Sequence, residues 1–588
     1  MSGVETVFFI QHLVTSICQG LQTGDIACCA RVRRAWNIAF TYELYWHQEV
    51  TDQKYKDWPL GDDWTIPQSF IPSLCRHKSS FSAVSANSPE FLSFLVHQSI
   101  STLTRLTSKN RFMNIPSVTK ILENNVDSLE ELTLIRVRRQ DVFEFSRLVK
   151  GGMAPLKHLT RLTFYCVSTT NPLPTTMLDT LLTHLPLQLE TLDAAVYEPT
   201  QRIPESEQAE AAALSIPARP YTALRSVKFD LNLLYCVKNH FLWFLRQCSN
   251  LKDLHLACTS FDSGILFATA QKLLENNGNP CDGSTGGLPY LESFSVSGGR
   301  WSDSVACLNA ISSPLKFLSI SQGSGPRMSQ VLDMLHRHRG SLEVLTLNRV
   351  QGSNEEMRSV FQLFPRLRVY RTNTVYNNRA NAPPLHLTIA DLSPWACFQS
   401  LTILQIELVS KGDEQDQPPS LDPAALSLYP LARSETLQLY LHFSNLIALE
   451  WLQVTITDMA PSLEEESTAS SITPAPPPYR RLGFEYSLES GLPILNSLKR
   501  LKTLTFGPPW THPSAHDCRI RQQEIEWIEK HWPRLAQIRM AKGKSLKLDQ
   551  VSQAELDLRA ACLWLEERRP DFKLQYKMPF VELPEPTY

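Results

Sequence analysis

Apolar residues recur along this chain at one spacing, L-x-x-L-x-L with conservative apolar swaps. Copies read Leu129-Leu132-Leu134, Leu159-Leu162-Phe164, Leu189-Leu192-Ala194, Leu224-Val227-Phe229 and Leu251-Leu254-Leu256. They continue as Leu291-Phe294-Val296, Leu315-Leu318-Ile320, Leu342-Leu345-Leu347, Leu367-Tyr370 and Leu401-Leu404-Ile406. Later copies are Leu449-Leu452-Val454, Leu501-Leu504-Phe506 and Leu535-Ile538-Met540, and degenerate ones are read at Leu103-Leu106 and near Leu482. The last two apolar positions of a copy alternate, which predicts a short strand with one apolar face. The segments before the strands carry helical spacing, as in Val331, Leu332, Met334 and Leu335 before Leu342, or Phe241, Leu242, Phe244 and Leu245 before Leu251. Thirteen copies, the later ones weaker in part, start 24 to 52 residues apart, and the shorter spacings hold one strand, one helix and two connections.

A strand and helix of this size leave an apolar face that only a neighbouring unit covers, so the units must stack. The spacing resembles the irregular intracellular class of leucine-rich repeats, since the units vary in length and lack a regular asparagine after the strand. The resemblance implies an α/β solenoid, a curved parallel sheet backed by outer helices. The expected layout is a helical module over 1–52, a connecting segment over 53–100, repeats over 101–545, and a C-terminal helical cap and tail over 546–588. The cap is read from Gln553 to Arg568, with Leu556, Leu558, Ala561, Leu563 and Leu565 placed to cover the last repeat. Insertions near 199–220, 410–423 and 460–478 are rich in proline or charge, bury little apolar surface, and read as loops on the solenoid edge.

Composition removes several function classes. Across 588 residues the formal net charge is -2, so no global basic field argues for nucleic acid or an anionic membrane. Thirteen cysteines, an odd number, are scattered without a CxxC pair, so buried free thiols are expected rather than disulfides or a zinc site. There is no acceptor sequence for N-glycosylation, no basic stretch before the apolar run in Met1 to Val14, and no membrane-length apolar run. The expectation is a reduced, soluble protein of the cytoplasm and/or nucleus, with no nucleic-acid or membrane partner. HExxH, G-x-S-x-G and Walker patterns are absent, and the glycine-rich stretch 276–287 lacks the Lys-Ser/Thr of a phosphate loop. No enzyme activity, cofactor or metal is therefore expected.

The N-terminal 8–50 segment is dense in apolar residues at helical spacing. It opens with Ile10, steps through Leu13, Val14, Ile17 and Leu21, and Asp25 stands ready to cap a helix starting at Ile26. Val32-Arg33-Arg34-Ala35-Trp36 follows, then Leu44 and Trp46. This run resembles the F-box, whose members dock on the Skp adaptor of SCF ubiquitin ligases. The resemblance implies that Ile10, Leu13, Val14, Ile17, Leu21, Ile26, Val32 and Trp36 contact a Skp-type adaptor, and through it a cullin complex. Where the family opens with Leu-Pro, this chain has Ile10-Gln11, which removes a fixed backbone angle but keeps the apolar side chain. Joined to repeats, such a module resembles the F-box/leucine-rich-repeat substrate receptors, especially divergent fungal ones, and implies an SCF substrate-recognition subunit.

Residues between and beside the buried strand positions point to the opposite face, where an unknown target protein would bind. That rule nominates Arg161, Thr163, Tyr165, Lys228, Asp230, Asp253 and His255. Further along it nominates Arg371, Asn373, Gln405, Glu407, Trp451, Gln453 and Arg539. The principal candidates are Tyr165, Lys228, His255, Arg371, Trp451 and Gln453, with Trp451 and Tyr165 as aromatic anchors.

Overall fold

The computed structural model describes residues 50–51, 82–86, 89–108, 115–137, 156–167, 182, 185–197, 220–230, 244–245, 247–258, 288–298, 308, 311, 313–321, 328–348, 354–372, 387–388, 395–410, 433–458, 480–483, 488, 491–506, 521–540 and 553–576. The eight adaptor-contact candidates, Ile10 to Trp36, and nearly all of the three insertions lie outside the described residues. Two compact units emerge, Met1–Leu291 with Asn309–Ser313, and Glu292–Leu308 with Pro314–Tyr588.

The first unit runs β1 (Val50–Thr51), β2 (Ala83–Ala86), α1 (Pro89–His97), β3 (Arg105–Ser108), α2 (Ile115–Asn124), β4 (Glu131–Val137), β5 (Arg161–Val167), β6 (Thr191–Tyr197), β7 (Ser226–Asp230) and β8 (Asp253–Cys258). Each strand pairs in parallel with the next. The second unit holds β9 (Ser293–Gly298), β10 (Phe317–Ser321), α3 (Met328–Leu335), β11 (Val344–Asn348), α4 (Asn354–Leu363), β12 (Val369–Thr372), β13 (Leu387–Thr388), β14 (Ile403–Ser410) and α5 (Arg433–Ser444). It continues with β15 (Trp451–Asp458), β16 (Arg480–Gly483), β17 (Thr503–Phe506), α6 (Gln522–His531), β18 (Gln537–Met540), α7 (Gln553–Arg568) and β19 (Lys573–Tyr576). Its parallel ladder passes β9-β10-β11-β12-β14-β15-β17-β18-β19.

The apolar spacing maps directly onto this register. Leu132, Leu162, Leu192, Val227 and Leu254 stand side by side in the first unit. In the second, Phe294, Leu318, Leu345, Tyr370, Leu404, Leu452, Leu504 and Ile538 form the corresponding row. Every member of both rows is at most 3 % exposed. Helix α3 adds buried Met328, Val331, Met334 and Leu335, while Ser329 and Asp333 on its other side are exposed. This is α/β leucine-rich-repeat architecture, as the spacing predicts. Each buried leucine contributes about 1.5–3 kcal/mol, so the rows dominate the energetics.

Serines at the strand entrances stitch one repeat to the last. Ser128 donates to the Leu103 carbonyl at 2.9 Å, Ser341 to Leu315 at 2.8 Å and Ser400 to Leu367 at 2.8 Å. Asn250 does the same to Thr222 at 2.8 Å, and buried Asn125 accepts from Leu103 N–H while donating to Ile100 and Ile121 carbonyls. Backbone carbonyls left unmet at these bends are thereby satisfied.

Three expectations need correction. The ladder starts before residue 101, because β2 pairs with β3; its residues Ala-Val-Ser-Ala are too small to show the leucine spacing. The degenerate copy near Leu482 is no repeat, because β16 runs antiparallel to β15 and the parallel ladder passes from β15 to β17. The C-terminal helix is no terminal cap, since β19 follows α7 and pairs in parallel with β18. Ala561, Cys562 and Leu565 are buried on α7, whereas Leu563 is exposed because it falls on the opposite side of the helix.

Candidate protein-binding faces

Outward strand positions place the candidates in two groups, one within each unit. In the first, Asp193, Lys228 and His255 occupy one register row across β6, β7 and β8. Tyr165 sits on β5 two residues beyond Thr163, the register partner of Asp193. Its hydroxyl donates to Asp193 Oδ2 at 2.7 Å. The Lys228 ammonium donates to the same oxygen at 3.0 Å, lies 3.4 Å from the phenol oxygen, and sits 5.7 Å from the ring centroid. Asp193 Oδ1 is enclosed and has no hydrogen-bond partner among the described residues.

This geometry sets the charges. Burial raises the Tyr165 phenol, and its hydrogen bond to the Asp193 carboxylate raises it further. Burial works against the Lys228 ammonium, but the hydrogen bond and charge of Asp193 outweigh it and leave the group raised. Burial lowers His255, the Lys228 charge lowers it further, and Asp193 opposes both. At neutral pH the cluster is an internally balanced ion pair beside a neutral imidazole. Its carboxylate accepts both hydrogen bonds on one oxygen, Oδ2.

In the second unit Arg371, Gln405, Gln453, Thr505 and Arg539 form a single row across β12, β14, β15, β17 and β18. Trp451 lies in the adjacent row, opposite Ile403 and Thr503. Its Nε1 donates to Thr505 Oγ1 at 2.9 Å. The guanidinium carbons of Arg371 and Arg539 lie 5.1 Å and 4.9 Å from its ring centroid, within cation–π range. Arg539 Nε donates to Gln537 at 2.7 Å, whereas Arg371 Nε is enclosed with no acceptor among the described residues.

The basic residues at the strand entrances are arranged differently. In the second unit Lys316 pairs with Glu292 at 2.9 Å, Arg368 with Glu343 at 3.8 Å, and Lys502 with Glu450 at 2.9 Å. The first unit has Arg161 with Glu131 at 2.9 Å and Lys157 with Asp127 at 3.1 Å. Within each unit these pairs sit near the strand entrances in solvent, each worth little by itself.

The structure therefore gathers Tyr165, Lys228 and His255 in one cluster, and Arg371, Trp451 and Gln453 in another. Both aromatic rings are half-buried against neighbouring strands rather than projecting alone. Asp193 and Thr505 are the participants that sequence reasoning missed. Each lies between the last two apolar residues of a copy, so the outward-position rule nominates both.

No protein-family profile and no curated protein sequence matches this chain. Among solved structures, it is similar to a chain in the crystal structure of the yeast Rad7 and Elc1 complex. Identity is 15% and the TM-score 0.33, covering 71% of this chain and 91% of that one. A likeness of that size says nothing about function, and the repeat architecture stands on strand register and buried positions.

Proposed function

We propose that this chain is a non-catalytic receptor that binds a target protein on the outward face of its ladders. We further propose that its N-terminal segment couples it to a Skp-type adaptor, making it a substrate-recognition subunit of an SCF-type ubiquitin ligase. The observation that carries the receptor reading is the registered row from Arg371 to Arg539, whose two arginines flank the Trp451 ring of the adjacent row. Arginine and tryptophan are the residue types that dominate binding energy at protein interfaces. The adaptor reading rests on the F-box resemblance at Ile10 to Trp46. Such a receptor does no chemistry; it raises the effective concentration of a target lysine near the conjugating enzyme.

The test is co-purification of the full chain with a Skp-type adaptor, with and without Ile17→Asp plus Trp36→Ala. The wild-type chain should retain the adaptor and the double variant should lose it, with matching circular dichroism spectra. Retention by neither chain sinks the ligase reading and favours a scaffold or inhibitor, the alternative that Gln11 in place of proline supports. Equal retention by both displaces the proposed contact surface.

A further inference from the structure

We propose that the outward face of the second unit binds an acidic segment of its protein partner, with Arg371 and Arg539 taking the oxyanions and Trp451 seating the chain between them. This rests on the receptor reading above and names the chemistry of the target. From β9 to β19, the two outward rows holding Arg371 and Trp451 contain no aspartate or glutamate. Their charged members are Arg371, Arg539 and Lys573, all basic. Acidic residues are present in this unit, but Glu292, Glu343 and Glu450 sit at the strand entrances, each neutralising a basic neighbour. Glu407 stands one row further along β14, opposite Thr455. Among the described residues neither Arg371 nor Arg539 has an acidic partner.

The two arginines are held for use. Each guanidinium carbon lies about 5 Å from the same ring centroid, so the two are at most about 10 Å apart. An extended peptide places alternate side chains on one side at intervals of roughly 7 Å, which lets acidic residues at i and i+2 reach both arginines. The planar guanidinium matches a carboxylate or phosphate in bidentate fashion. With its Nε enclosed and without an acceptor, Arg371 carries a charge already partly stripped of water, which strengthens attraction to an anion. Gln453 stands in the same row between them and offers a further amide donor. Nucleic acid is the poorer fit, because affinity for its backbone grows with the number of neutralised phosphates, and these rows supply only three cations.

Fluorescence anisotropy with the full chain tests this. The probes are a labelled peptide with glutamate at alternate positions, its glutamine counterpart, its phosphoserine counterpart, and a single-stranded oligonucleotide of equal charge. The glutamate peptide should bind at least about tenfold more tightly than the glutamine one and weaken with salt. Arg371→Gln and Arg539→Gln should each remove most of that preference, while Lys316→Gln at the paired edge should leave it intact. Tighter binding of the phosphopeptide assigns the oxyanion to phosphate, and equal or weaker binding assigns it to carboxylate; both support the proposal. If Arg371→Gln unfolds, Arg371→Lys, which keeps charge but loses the planar fork, must still lose part of the preference. Equal binding of glutamate and glutamine peptides, a preference that survives both arginine changes, or tighter binding of the oligonucleotide through these arginines each overturns it. Adaptor retention is read separately. A chain that prefers the acidic peptide yet retains no adaptor loses the ligase reading and keeps this inference, and the reverse result does the opposite.

Discussion

The His442 ring packs edge-on against Trp395, with centroids 4.4 Å apart, and its Nε2 is enclosed without a hydrogen-bond partner among the described residues. Burial pushes its pKa down to about 4. Buried His338 is also lowered by burial, helped by the Arg337 charge, and its Nδ1 faces the Leu315 N–H at 3.3 Å as an acceptor, which requires the neutral ring. Folded-state values below the ordinary one mean that the unfolded chain takes up protons first. Stability is therefore full above the ordinary value near 6.5 and falls as pH drops toward about 4, where the loss levels off. For His442 the whole effect is at most about 3 kcal/mol. His442→Phe, which keeps the ring packing, should lose less stability than wild type between about pH 7 and pH 4.5. Urea unfolding at both pH values checks this, and identical losses would exclude His442 as a contributor. Backbone geometry makes a second residue-scale prediction. Gly491 has φ +113°, and a Cβ there would lie 3.1 Å from Tyr440 Cδ2. Gly491→Ala should cost about 1–2 kcal/mol, read as a lowered unfolding midpoint.

At the scale of one strand, neighbouring positions have opposite roles. Leu345 is fully buried in the leucine row of β11, while Thr346 beside it faces outward and is half-buried. Leu345→Ala should cost about 2–5 kcal/mol and Thr346→Ala no more than about 0.5 kcal/mol in the same denaturation experiment. Comparable costs would show that the outward row bears more of the fold than its register implies. Losing the Ser341 stitch in Ser341→Ala should cost about 1 kcal/mol. Elements with full leucine spacing were legible because periodicity and burial coincide. Strand β2 was not, because alanine and serine occupy its slots, and β16 was misread because a lone leucine carries no direction of pairing. Strand β19 is harder to read because Asp571 stands where a copy has its first leucine, leaving Leu574 and Tyr576 alone in register with Ile538 and Met540.

Across the whole chain, stacked repeats transmit stability mainly to their neighbours. A lesion at Leu345 should therefore raise hydrogen exchange most in β10, β11 and β12 and much less in β17, β18 and β19. Uniform loss of protection through the second unit would instead mean that its repeats unfold as one. The two candidate clusters were legible only as separate outward positions. Their partnerships depend on register between residues far apart in the chain, such as Tyr165 with Lys228, or Arg371 with Arg539.

The leucine spacing alone determined that parallel strands stack and which side of each strand is buried, because the apolar effect needs only a repeated pattern. Sequence also supplied the F-box resemblance, which lies outside the described residues. Tertiary structure decided which outward charges are spent on each other and which are left without an acidic partner among the described residues. Asp193 is bound to Tyr165 and Lys228, whereas Arg371 and Arg539 flank the Trp451 ring, with no acidic partner among the described residues. Charge pairing is set by distances of a few ångströms across strands, and no spacing along the chain encodes those distances.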